Sequence, residues 1–441
     1  MAHVCVTLYT RKFLRRERLP AAIVTDEASI LIPSDSVDFD ALRKDFPIFN
    51  SGSGTLHYLD SAASSQKPSC VIDAVAQCYR SQYAPVHRGL YPLAESASLA
   101  YEKARQTLAN FINAASADEI IFTRSATEAI NLVASGWAGA VLKAGDEIWV
   151  SQMEHHSNYL PWQRVCRDRG ASLRVIPLDS SGQLDLDKAA GLFANSTRLI
   201  AITHVSNVLG IVNPVEKIIH LAAQKSIPVL IDAAQSVGHM PVDVQALKCD
   251  FLVASAHKMC GPGGIGLLYG KKERLAQTEP LLLGGGMVDQ VQSETSLWSE
   301  IPARFEAGSP NLAGALGFAV AADYIQGIGR QAIEKREREL AATAFEVLSE
   351  IGGVAIYGPE NSEYRGGILS FHIDGIHPHD IAQIAGEHGV AIRAWHHCCQ
   401  PLMQHLNTSS TARASFSFYN NEEDISALVM AIQQTKKVLG G

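Results

Sequence analysis

Apolar and polar positions divide this chain into two patterns. From about residue 57 to 275, short apolar runs recur: EIIFT (119–123), EIWVSQ (147–152), LRVIPL (173–178), RLIAITHV (198–205), VLID (229–232) and FLVASAH (251–257). Runs this short, bounded by polar or turn residues, predict buried strands. Between them lie segments with helical spacing, such as TEAINLVASGW (127–137) and PVEKIIHLAAQK (214–225). Strands alternating with helices predict βαβ units and a mostly parallel sheet. After about residue 320 the pattern changes. One long helical segment rich in Ala, Glu and Arg is predicted over roughly 314–350, then a mixture: GGILSFHI (366–373), HDIAQIAGEHG (379–389) and ASFSFY (414–419). The last segment, EEDISALVMAIQQTKKVLGG, has acids in its first turn, lysines in its last and glycines after it, which are the start and stop signals of a helix.

The expected architecture is therefore α/β. A large domain spans 55–324, and a smaller α+β domain is built from 37–54 and 325–441, with the helix DALRKDFP near residue 40 packing on it. A length of 441 residues agrees with more than one core. The net charge of -8 implies no basic face, so nucleic acid is not an expected partner. No apolar run approaches the roughly 20 residues of a membrane span, so no membrane partner is expected either. The 8 cysteines contain no CxxC pair and suggest reduced thiols in a cytoplasmic setting. Residues 1–36 stand apart. Their Arg-rich start has few acids, and reads either as a disordered extension or as an organelle transit peptide.

Ligands of parallel α/β sheets bind beyond the strand ends, so polar residues directly after apolar runs are the candidates. In IIFTRSATEAINLV, Ser125 and Glu128 have capping-box spacing, and the helix start with Ser125 and Thr127 suits a phosphate. A plain capped helix has the same residues. Asp232 ends VLID, where a buried carboxylate needs a positive partner such as a protonated pyridine nitrogen, or a structural ion pair. Ser255, His257 and Lys258 follow FLVA. A lysine leaving a buried strand either has a lowered pKa and becomes a Schiff-base nucleophile, or snorkels to the surface. Together an anion site, a strand-end Asp and a strand-end Lys suggest pyridoxal 5'-phosphate: Lys258 for the aldehyde, Asp232 for the ring nitrogen, the Thr127 region for the phosphate.

SAHKMCGPGGIGLLYG resembles the lysine motif of the class V aminotransferase group of fold-type I pyridoxal-phosphate enzymes. RAWHHCCQPLM (393–403) is similar to the pattern R-x-G-H-H-C-x-x-P-L of the group II, or Suf-type, cysteine desulfurases. YLDSAASSQKP, VHRGLY, MEHHSNYLPWQ, THVSNVLG, RFEAGSPN and RASFSFYN extend the resemblance over about residues 40 to 438. It implies conversion of L-cysteine to L-alanine, with the sulfur passing to Cys398 as a persulfide, for iron–sulfur cluster or other sulfur-requiring biosynthesis. It implies Lys258 as Schiff-base lysine and proton shuttle, and His155 stacked on the pyridine ring. Asp232 would meet the ring nitrogen and Gln235 the phenolic oxygen. Thr127, Ser255 and His257 would bind phosphate, with Ser309 reaching in from a second subunit of a homodimer. Asn207 and Arg413 would hold the substrate carboxylate, and His87, Arg88 and Arg393 would line the entrance. The implied partner is a sulfur-acceptor protein of the Suf type. The same scaffold with L-selenocysteine as substrate, a selenocysteine lyase, is the alternative.

Two departures stand out. Trp395 replaces the pattern's Gly, so a differently shaped Cys398 loop and a narrowed site are expected. Cys399 stands where Ala is common, which raises a second thiol acceptor. Four consecutive ligands from His396 to Cys399 do not readily wrap one tetrahedral zinc ion. No metal is expected, and Arg393 with the histidines should favour a Cys398 thiolate.

Overall fold

A computed structural model describes residues 37–50, 52, 55–179, 182–360 and 362–440. The N-terminal extension expected over residues 1–36 lies outside them. The described chain is organised around two sheets. The larger has seven strands: β1 (Ile120–Thr123), β2 (Glu147–Ser151), β3 (Ser172–Ile176), β4 (Thr197–Thr203), β5 (Val229–Asp232), β6 (Phe251–Ser255) and β7 (Gly266–Gly270), in the order β1-β7-β6-β5-β4-β2-β3. β5 and β6 are buried along their whole length, the reason their sequences are unbroken apolar runs. Helices such as Pro92–Phe111 and Leu160–Arg169 bury further apolar residues in the cores on the sheet.

β7 is antiparallel to both of its neighbours, and every other pairing in this sheet is parallel. The remaining strands therefore point one way, and their C-terminal ends share one edge. β7 lies inside the lysine motif SAHKMCGPGGIGLLYG, whose glycines break the apolar run expected of a strand. The turn before it is too short for a crossover helix, so the chain returns as a hairpin. Gly266, its first residue, has to be glycine: a β-carbon there would lie 2.7 Å from the Cα of Ser125.

The smaller sheet is antiparallel, with β8 (Val354–Tyr357), β9 (Ile368–Ile373), β10 (Arg393–Trp395) and β11 (Thr411–Ser415) in the order β8-β9-β11-β10. The final helix, Glu422–Leu439, carries a capping box between Asn421 and Asp424. The short helix Phe39–Arg43 contacts it, with Arg43 Nη1 donating to Asp424 Oδ2 at 2.9 Å. The long helix expected over 314–350 is instead two helices, Leu312–Ile328 and Arg330–Ser349, bent by 78°. Gly329 between them has φ 94°, a conformation only glycine takes without strain. No single helix among the described residues is long and apolar enough to cross a membrane.

Candidate active site

The common edge of the large sheet gathers the strand-end residues. Ser125 and Thr127 follow β1, His155 follows β2, Asn207 follows β4, Asp232 ends β5 with Gln235 just beyond, and Ser255, His257 and Lys258 close β6. The smaller sheet adds Arg393 from β10 and Arg413 from β11, which are directly paired across the strands. The chain after β10 adds His397 and Cys398. All of these line one cavity of about 240 Å³, together with Ala62, Ala63, Ser157 and Thr203.

Lys258 is partly buried, and desolvation lowers its pKa to about 8 against the opposing pull of Asp232. The buried Asp232 carboxyl is pushed up by desolvation, and Lys258 partly offsets this. It accepts a hydrogen bond from Ala234 N at 3.0 Å. His155 is held neutral, with its pKa pushed down to about 3 by burial and then by Lys258. Its Nδ1 accepts from Ser157 N at 3.1 Å, which leaves the proton on Nε2.

The hydroxyl wall differs from the expected capping box. Ser125 precedes the helix Ala126–Leu132 but its side chain caps nothing. Glu128 reaches back to the N–H of Arg124 instead, and Ala126 N donates to Ser255 Oγ at 2.9 Å. The Ser125 hydroxyl is left to the cavity, and Thr127 Oγ1 lies 2.8 Å from Ser157 Oγ. His257 is kept neutral by burial, with a pKa lowered to about 4. Gln235 donates to Ala62 O at 2.8 Å.

Arg413 is oriented from two sides. Its Nη1 donates to Asn207 O at 2.9 Å and its Nη2 pairs with Asp60 Oδ1 at 2.9 Å, while its Nε is buried without a partner. Asp60 and Ser157 were not singled out from the sequence, although both lie inside the quoted segments YLDSAASSQKP and MEHHSNYLPWQ. Asn207 Nδ2 donates to His397 O at 2.8 Å, tying β4's loop to the cysteine segment.

Cys398 is partly exposed and lines the cavity, whereas Cys399 is buried. The Cys399 Sγ donates toward Met153 O and Glu154 O, each at 3.2 Å, and burial raises its pKa strongly. That environment makes it a packed, protonated thiol, not a second acceptor. Trp395 corrects a further expectation. Its backbone adopts φ 117°, and its half-exposed ring stacks on His379 at 4.7 Å, away from the cavity. The ring does not narrow the site. His397 is neutral, pushed down to about 2 by desolvation and then by Arg413, and its Nε2 faces Thr411. It therefore adds no positive charge beside Cys398.

Three expected residues lie elsewhere in this chain. His87 is exposed and bonded to Glu102 at 3.1 Å. Arg88 passes over Gly285 and Gly286, so close that a β-carbon on the latter would come 2.8 Å from its Nη2. Ser309 lines a separate hollow of about 270 Å³ with Thr123, Arg124 and Glu128, beside the helix that begins the hydroxyl wall.

Residues 57–428 match the family described as aminotransferase class V. The chain belongs to this family. A probable cysteine desulfurase of Halalkalibacterium halodurans is 47% identical over 401 residues, covering 90% of this chain and 98% of that protein. A cysteine desulfurase of Escherichia coli strain SE11 is 46% identical over 404 residues, covering 91% and 99%. Among solved structures, the cysteine desulfurase CsdA of Escherichia coli superimposes with a TM-score of 0.85 at 36% identity, covering 91% of this chain and 99% of that one. The apo cysteine desulfurase of Thermococcus onnurineus NA1 gives 0.87 at 40% identity, with coverage of 94% and 100%. The fold is thus the fold-type I architecture of these enzymes, and the cofactor is pyridoxal 5'-phosphate. The cavity fits that group. It holds a partly buried amine of lowered pKa, a buried carboxylate short of partners and a wall of hydroxyls at a helix start.

Proposed function

We propose that this class-V enzyme desulfurates L-cysteine with Lys258 and Cys398 acting from the same cavity. The observation that carries the reading is their convergence: a partly buried lysine of lowered pKa and a partly exposed cysteine line one pocket with two arginines. Pyridoxal phosphate, when bound, supplies the electron sink for the pair released at the substrate α-carbon. Lys258 would hold it covalently, Asp232 its ring nitrogen, Gln235 its phenolic oxygen, and Thr127, Ser255 and His257 its phosphate. His155, neutral, would lie against its ring.

Arg413 binds the substrate carboxylate, with Asn207 beside it. Asp60 and the Asn207 carbonyl hold the guanidinium in place, so orientation is prepared before substrate arrives. Lys258 in its neutral form removes the α-proton. The Cys398 thiolate attacks the substrate sulfur. An S–S bond forms as the C–S bond breaks, the electron pair leaves with the three-carbon fragment, and that fragment is protonated and released as L-alanine. Arg393 stabilises the thiolate.

A Suf-type sulfur acceptor is the partner this reading implies, since Cys398 is exposed enough to be met from outside. A homodimer is implied as well. The Ser309 hollow lies beside the hydroxyl wall, and a second subunit would bring its own Ser309, His87 and Arg88 toward the entrance.

The test is mass spectrometry of the 395–403 peptide after incubation with L-cysteine and thiol trapping. One additional sulfur on Cys398 is expected. Cys398→Ala should still bind cysteine, with the cofactor's absorbance change, but form no persulfide. Lys258→Ala should lose turnover by several orders of magnitude. Sulfide production by Cys398→Ala at the wild-type rate would show that another group takes the sulfur.

A further inference from the structure

The turn that carries Cys398 runs against backbone preference. Trp395, His397 and Cys398 have φ values of 117°, 49° and 57°, all in the region that favours glycine. A strained turn persists only where its surroundings over-determine it. On the outer side Trp395 stacks on His379. On the inner side His156 N donates to Cys398 O at 2.7 Å. His397 is held by Asn207 Nδ2 through its carbonyl and by Thr411 through its ring, and Cys399 adds a further hold. Its single S–H is shared between the carbonyls of Met153 and Glu154, which lead directly into His155. Cys399 thus ties the nucleophile's turn, through a side chain, to the loop carrying the residue that faces the cofactor site. It does not line the cavity.

We propose that Cys399 is a positioning residue whose hydrogen bond holds the Cys398 turn in place against the strain that Trp395 introduces. The proposal rests on Cys398 being the nucleophile. Glycine takes φ 117° without cost, so a turn with glycine at position 395 keeps only the milder strain of His397 and Cys398 and leans far less on this hold. Tryptophan does need it. Serine at 399 keeps a donor aimed at the same carbonyls, and alanine removes it.

The test is a double-mutant cycle on the holoenzyme with Cys399→Ala, Trp395→Gly and both together, plus Cys399→Ser. Two rates are read in a single turnover with L-cysteine: the cofactor's absorbance change, and persulfide formation on Cys398 by quenching and mass spectrometry. Hydrogen exchange of the 394–402 segment is followed alongside. In the Trp395 background, Cys399→Ala should slow persulfide formation roughly tenfold, the scale of one lost buried hydrogen bond. The absorbance change should stay within about twofold, and exchange at 396–400 should accelerate. Cys399→Ser should restore most of the rate. In the Trp395→Gly background, Cys399→Ala should change the rate by less than about twofold. Equal effects in the two backgrounds, no rescue by serine, or a parallel fall of both rates would overturn the proposal. A Cys398→Ala protein that still gains persulfide would instead overturn the nucleophile assignment, whatever the cycle gives.

Discussion

At the scale of single residues, the strand-end groups were legible because they interrupt runs that burial requires to be apolar. Asp232 and Lys258 stand out against VLID and FLVAS for that reason; Asp232 proves buried and Lys258 partly buried, each shifted in pKa in the direction desolvation demands. The direction of a side chain was not legible. Trp395 was expected to crowd the site, but whether its ring points in or out depends on a backbone angle that residue identity alone does not set. The same holds for Cys399, whose neighbours come from a loop far away in sequence. Trp395 also makes a clean comparison. Trp395→Ala loses the stack on His379 and keeps the φ of 117°, whereas Trp395→Gly loses the stack and relieves the strain. Urea unfolding should rank the glycine variant above the alanine variant by about 1 kcal/mol or more. The reverse order would mean that the turn relaxes in the alanine variant.

At the scale of elements, the parallel strands were found within a few residues of their ends, since a strand buried on both faces has nowhere to place polar groups. What escaped were changes of direction. Nothing in an Ala-rich pattern marks the 78° bend at Gly329, because apolar spacing continues on both sides of it. Gly329→Ala tests its origin. A β-carbon there would meet nothing within 4 Å, so any cost is conformational. A loss of about 1–2 kcal/mol in chemical denaturation is expected, with β8 and β9 the first to gain hydrogen exchange. An unchanged stability would place the bend in the packing of the two helices and not in the glycine. The hairpin that makes β7 was missed in the same way, because its strand lies inside the lysine motif SAHKMCGPGGIGLLYG.

At the scale of the whole molecule, buried ionisable groups set the response to pH. His155, His204 and His397 are neutral in the fold, with pKa values lowered to about 3, 4 and 2 mainly by desolvation. Their folded pKa values lie below the unfolded value near 6.5. The stability they leave intact is present above that value and is lost as pH falls below it, each by about 1.4 kcal/mol per pH unit at most. Glu154 acts oppositely. Burial raises its pKa to about 8, so the fold prefers it protonated and loses stability as pH rises from its unfolded value near 4.3 toward 8. Between pH 6.5 and 8 these three histidines no longer titrate, whereas Glu154 does, and His239, lowered by burial but raised on balance by Glu337, loses stabilisation in the same direction. Wild-type stability should therefore decline across that window by about 1–2 kcal/mol. Glu154→Gln should reduce it and leave the smaller part due to His239, measured by urea midpoints at both pH values. A decline that persists undiminished in the glutamine variant would assign it to another group.

One consequence of the paired cysteines concerns the route that sulfur takes. Cys398 opens toward the cavity and the outside, while the thiol of Cys399 is turned inward onto two carbonyls and stays protonated. A buried, protonated thiol does not attack a neighbouring persulfide. If Cys398 carries the sulfur as proposed, its cargo would have no internal discharge path through a vicinal disulfide, although the would-be resolving group is the next residue in the chain. On that proposal, release would wait for a thiolate arriving from elsewhere, and the site would be a one-way relay whose unloading is timed by its recipient.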